Sequence, residues 1–171
     1  ITVGVVGEEG TAAGTSHAQT VKAGNVAEIP LTDLKDGSYT VTVNSSVPVV
    51  AAARTTSIGA SKRDFAWFVS SAPLGDSLLA AVPGGPGGVL HLANPDEKDR
   101  TVTITPDDGK ATKLVVPAEG AAHLAVSGTR YTIDGAEGLR GSVSFAADGA
   151  SSTFALAPPG PLAAPIEVYP R

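Results

Sequence analysis

Asp64-Phe65-Ala66-Trp67-Phe68-Val69-Ser70-Ser71-Ala72-Pro73-Leu74 holds the only tryptophan of the chain and half of its four phenylalanines. Aromatic and β-branched residues suit a pleated ladder, and proline interrupts one, so the stretch reads as a strand that runs into a turn at Pro73. Alternation along that strand places Phe65, Trp67 and Val69 on one side and Ala66, Phe68 and Ser70 on the other. A side as apolar as the first is expected to face a core. A weaker copy follows later, Thr153-Phe154-Ala155-Leu156-Ala157-Pro158-Pro159-Gly160-Pro161-Leu162. The echo suggests a chain built as two related halves.

Composition agrees with strands rather than helices. Of 171 residues, 42% are hydrophobic, enough for a sizeable core, while only 17% are charged and 20 Gly with 13 Pro supply many turns. A net charge of −5 disfavours a surface that tracks nucleic-acid phosphates. With no cysteine, disulfides, thiolate-held metals and thiol catalysis are excluded. The chain also lacks methionine, including at its first residue, so it is expected to be a fragment of a longer precursor. No apolar run reaches the roughly 20 residues that span a bilayer, so no membrane insertion by this fragment is expected.

The anchors of the two halves recur in the same order. Thr2-Val3-Gly4-Val5 answers to Thr101-Val102-Thr103-Ile104, and Glu8-Glu9-Gly10 to Asp107-Asp108-Gly109. The segment from Val21 to Leu31 answers to that from Val116 to Val126, Tyr39-Thr40-Val41 to Tyr131-Thr132-Ile133, and Phe65-Ala66 to Phe154-Ala155. Pro83-Gly84-Gly85-Pro86-Gly87-Gly88 is the strongest punctuation between them. About seven short strands per half, with turn signals every 8–12 residues or so, predict an all-β protein of two tandem, related, antiparallel Ig-like β-sandwich units, residues 1–83 and 84–171. The first half has no counterpart of Val89 to Ala93. Either it starts one strand late or another part of the molecule supplies that strand. One interlocked double-sheet domain is the rival architecture. Within the first half, Val26 to Leu31 and Val47 to Arg54 read as strands, and Thr55 to Arg63 as a polar loop.

Candidate chemistry is sparse. His91 and His123 lie inside alternating strands and His17 near the start of another, without the close spacing of metal ligands. No Gly-x-Ser-x-Gly elbow presents a nucleophile. Glu8-Glu9 and Asp107-Asp108 read as solvated acids in glycine turns rather than paired catalytic carboxylates. Asp96, Glu97 and Asp99 offer hard oxygens without the spacing of a calcium loop. The glycine run lacks the lysine and helix of a phosphate loop. No cofactor or metal is therefore expected. What remains is a surface candidate: Trp67, with Arg54, Lys62 and Arg63 around the adjoining loop, the most basic spot in an acidic chain.

Two motifs resemble a known family. One is Leu90-His91-Leu92-Ala93-Asn94-Pro95, a charged turn, then Thr101 to Ile104. The other is Val47-Pro48-Val49-Val50-Ala51-Ala52-Ala53-Arg54, a polar loop, then Asp64-Phe65-Ala66-Trp67. Together they resemble secreted actinobacterial proteins of an uncharacterised family, DUF5719. The resemblance implies an exported, cell-envelope location and brings no activity, ligand or catalytic residue. The expectation is a non-enzymatic extracellular structural or protein-interaction module whose partner is an unknown envelope protein or glycan. The alternative is a carbohydrate-binding module for envelope polysaccharide that uses Trp67 or the loop beside it.

Overall fold

The computed structural model describes residues 1–8, 15–32, 34–35 and 37–158. The described chain is all-β, with thirteen strands arranged in antiparallel sheets. The strands are β1 (Thr2–Gly7), β2 (Thr15–Ala18), β3 (Tyr39–Asn44), β4 (Ala52–Ile58), β5 (Arg63–Val69), β6 (Ser77–Ala81) and β7 (Val89–Ala93). They continue as β8 (Arg100–Pro106), β9 (Thr112–Val116), β10 (Ala121–Ala125), β11 (Arg130–Asp134), β12 (Arg140–Ala147) and β13 (Ala150–Ala155).

Two four-stranded sheets carry the main core, ordered β10-β7-β12-β13 and β6-β11-β8-β9. Alternation does the sorting. Leu90 and Leu92 of β7 and Val143 of β12 point inward, as do Val102 and Ile104 of β8 and Ile133 of β11. Leu139, on the approach to β12, is fully buried among them. Burying each such aliphatic side chain contributes about 1.5–3 kcal/mol. The sheet-on-sheet arrangement is that of a β-sandwich.

Strand β6 lies on the N-terminal side of the glycine-proline run, yet it pairs with β11 from Ser77↔Asp134 to Ala81↔Arg130. It gives Leu78 and Ala80 to the main core, and Leu74 and Val82 beside it add two more side chains. The ladder thus crosses the expected 83/84 division.

Strands β1, β2 and β3 form a separate three-stranded sheet, β2-β1-β3. Its order and pairing are those of β9-β8-β11 in the sandwich. Tyr39 donates its hydroxyl to the Lys35 carbonyl at 2.8 Å, and Tyr131 donates to the Ser127 carbonyl at 3.1 Å, each four residues upstream. Tyr39 opposes Gly7 of β1 and Tyr131 opposes Pro106 of β8, so the paired tyrosines hold matching places. The expected strand over Val26–Leu31 does not form, and Val26 is almost fully exposed.

The β4–β5 hairpin lies beside β13. Its tip abuts the tip of the β12–β13 hairpin: Ala60 N–H donates to Asp148 Oδ1 at 3.3 Å, and Ser151 N–H to Asp64 Oδ2 at 3.1 Å. From these matched tips β5 and β13 run in the same direction. Two expectations fail here. Thr55 to Ile58 belongs to strand β4 rather than a loop, because Thr55 and Thr56 are β-branched and find a ladder against Ala66 and Phe65. The strand begins only at Ala52, so Val47 to Ala51 lies outside it. Counted from the closing pairs Ile58↔Arg63 and Ala147↔Ala150, Phe154 corresponds to Trp67 rather than to Phe65.

Candidate functional site

Trp67 is not in the core. Phe65, Trp67 and Val69 are 57%, 53% and 58% exposed, and the buried residue of β5 is Ala66 on the opposite side. Leu156, which the sequence matched to Trp67, is buried, so the two share no packing role. The reason lies in how the hairpin is tethered. Asp64 points toward β13, and its carboxylate accepts the Ser151 amide. Small Ala66 then permits close approach on that side, and the three large residues are left facing outward.

The register of β4 and β5 gathers the exposed side chains into one face. Thr56 opposes Phe65, Arg54 opposes Trp67, and Ile58 opposes Arg63. Cross-strand neighbours share a side, so Arg54, Thr56 and Ile58 line up with Arg63, Phe65, Trp67 and Val69. The Arg54 guanidinium carbon sits 5.8 Å from the Trp67 ring centroid, within cation–π range. Lys62 occupies the hairpin turn, where its carbonyl accepts the Gly59 amide at 2.9 Å. The structure therefore brings Arg54, Arg63 and Trp67 onto one surface and puts Lys62 at its tip.

Nearby, Asp64 has its carboxyl held below the usual range, first by the Ser151 amide and then by the Phe65 amide. The charge of Lys62 adds to this and burial opposes it.

A second constellation was missed by the sequence. Glu8, read as a solvated turn acid, is buried, its side chain 4% exposed. Its Oε1 lies 2.9 Å from His91 Nδ1 and its Oε2 lies 2.9 Å from His123 Nδ1. His91 and His123 are directly opposed in the β7–β10 ladder, with ring centroids 6.2 Å apart. His91 Nε2 lies 2.8 Å from Ser144 Oγ on β12. The available signal was the pair of histidines inside alternating strands. Nothing local pairs them with an acid 83 residues from His91.

Ser144, His91 and Glu8 stand in the order of a serine–histidine–acid relay, but Ser144 sits mid-strand, opposed by Val89 on one side and Thr153 on the other. Its backbone is in the ladder on both sides, not at the sharp exposed turn that presents a serine nucleophile. Among the described residues no group of histidines and carboxylates has the geometry of a metal site. Asp96 is paired with Arg100 and Asp107 with Arg130, so the acidic turns are engaged structurally.

Fold and surface together define an all-β sandwich protein with an outward aromatic and basic face. The chain belongs to a family of unknown function, DUF5719, whose model matches residues 1–129. That span includes β1 to β10, and with them the β4–β5 face, Glu8, His91 and His123. No curated protein and no solved structure matches the chain.

Proposed function

We propose that the chain is a non-enzymatic protein-interaction module of the actinobacterial cell envelope, acting outside the cell. The observation that carries the reading is the exposure of Trp67 beside Arg54 on the outward hairpin face. Tryptophan and arginine are the side chains that most often dominate binding energy at protein interfaces, and aliphatic neighbours complete a dry centre. Ile58, Phe65 and Val69 supply that centre, while Arg54, Arg63 and Lys62 supply positive charge on a chain of net charge −5. The matching partner is a protein surface with an apolar centre and an acidic rim.

The extracellular placement rests on the resemblance of the Val47–Arg54 and Leu90–Pro95 motifs to secreted actinobacterial proteins. An internal repeat accounts for the common order of β2-β1-β3 and β9-β8-β11 and for the matching tyrosine bonds.

The exposed indole also supports a second reading, binding of envelope polysaccharide by stacking on Trp67. Against it stands the composition of the face, where Arg54 already lies over the ring and none of the face residues is an Asn, Gln or Asp set to bond sugar hydroxyls.

A photo-crosslinking residue at Thr56, at the middle of the face, tests the proposal in envelope extract, with the same probe at exposed Thr112 of β9 as control. A discrete protein adduct from position 56 alone, abolished by Trp67→Ala, is the expected result. Equal labelling from both positions, together with Trp67-dependent retention on envelope polysaccharide, would replace it with the carbohydrate reading.

A further inference from the structure

We propose that Glu8, His91 and His123 form a proton-sensitive latch that fastens the β2-β1-β3 sheet onto the outer face of the β10-β7-β12-β13 sheet. The two sides of the latch are each rigid. Glu8 directly follows β1, and its amide donates to the Ser38 carbonyl at 2.9 Å, so its backbone moves with the small sheet. His91 and His123 lie on central β7 and neighbouring β10, on the side opposite buried Leu90 and Leu92, so they move with the sandwich. Val3 and Val5 on β1 are buried yet stand outside the main core, as expected of a second, smaller contact layer.

The donor and acceptor count sets the behaviour. An ionised carboxylate only accepts, and it meets a ring nitrogen at each oxygen. At Oε1 a proton on His91 Nδ1 satisfies it with a hydrogen bond, and at Oε2 His123 Nδ1 adds a close polar contact. Ser144 lets His91 change charge without losing a bond. Its hydroxyl donates to Nε2 of the neutral ring and, on rotating, accepts from Nε2–H of the charged one. Neutralising Glu8 breaks this arrangement, for it places a donor against a donor at one of the two contacts. The latch therefore releases once the carboxylate is neutralised.

Other titratable and charged groups stand on the elements around the cluster. From β2, His17 shares the side of Val3. From β3, Tyr39 opposes Gly7 with its hydroxyl committed to Lys35. From β12, Arg140 opposes Ala93 on the histidine face and donates to the Ser71 carbonyl at 3.3 Å.

Amide hydrogen exchange on the whole chain, from neutral pH into acid, tests the latch. Protection of β1 and β3 amides should drop at least tenfold in acid while Leu90 and Leu92 of β7 remain protected. In Glu8→Gln, protection of β1 and β3 should be lower and flat with pH, and His123→Gln should fall between. A Glu8→Gln profile identical to wild type overturns the proposal, as does simultaneous loss of β1 and β7 protection in wild type. If Glu8→Gln holds the small sheet at no pH, the wild-type chain decides by itself. Acid release that follows the Glu8 carboxyl carbon shift supports the latch, and release at a different pH overturns it.

Discussion

Arg54 and Trp67 oppose each other across the β4–β5 ladder, with the guanidinium carbon 5.8 Å from the indole centroid, on the side of the hairpin turned away from β13. Such a pair is worth about 0.5–1 kcal/mol at an exposed site, too little to explain a tryptophan held in the open. Its position on a face with Phe65, Val69 and Ile58 makes it a surface ready for a partner rather than a stabilising device.

Trp67→Ala should accordingly change stability by no more than about 1 kcal/mol in denaturant unfolding, the size of the exposed cation–π pair it removes. The fluorescence of the wild-type indole should be strongly quenched by iodide. A loss near the ~3–5 kcal/mol expected for a buried tryptophan would return Trp67 to the core.

The positions of many strands were legible in the sequence, and their facing was not. Tyr39-Thr40-Val41-Thr42-Val43 and Val89-Leu90-His91-Leu92-Ala93 alternate so regularly that β3 and β7 could be read directly. β4 was hidden because Thr55, Thr56 and Ser57 look like loop residues until a ladder partner is supplied. The orientation of β5 was illegible for a different reason. Alternation says which residues share a side, whereas the choice of inner side is made by Ser151, 87 residues from Asp64. Glu8 is the same case: its burial is decided by histidines on β7 and β10.

Asp64 should make the seating of the hairpin acid-sensitive. Its folded carboxyl is held below its usual range by the Ser151 and Phe65 amides. The stabilisation is therefore present above the ordinary carboxylate range, about pH 4, and is lost as pH falls through the lower folded value. Hydrogen exchange at Ser151 should speed up in acid, and Asp64→Asn should show the faster exchange already at neutral pH. A Ser151 amide equally protected in both proteins would rule this role out.

Gly149 fixes where the two hairpin tips meet. Its φ is +59°, and a Cβ there would stand 2.5 Å from the Lys62 carbonyl oxygen. Gly149→Ala should cost at least about 1 kcal/mol by thermal unfolding, combining left-handed strain with a backbone clash. The β4–β5 tip should lose exchange protection with it. A neutral substitution would show that the tips are not in register.

Leu139→Ala should be the costly one. Leu139 is 0% exposed and sits among core residues from both sheets. Removing its side chain should lower unfolding free energy by about 2–5 kcal/mol. A loss under about 1 kcal/mol would mean that the sandwich closes up around the gap or that the core is packed differently.

The pairing of β6 with β11 has a consequence in time. Ser77 and Asp134 meet across a separation of 57 residues, so β6 leaves the ribosome well before its partner. At about 5–20 residues per second, it waits on the order of several seconds with Leu78 and Ala80 uncovered and its backbone without a ladder partner. An unpaired apolar strand of that kind invites pairing with another nascent chain. The molecule is thus most vulnerable during its own synthesis, before β11 emerges, and a holdase that shelters residues 77–81 would bring its greatest benefit in that interval.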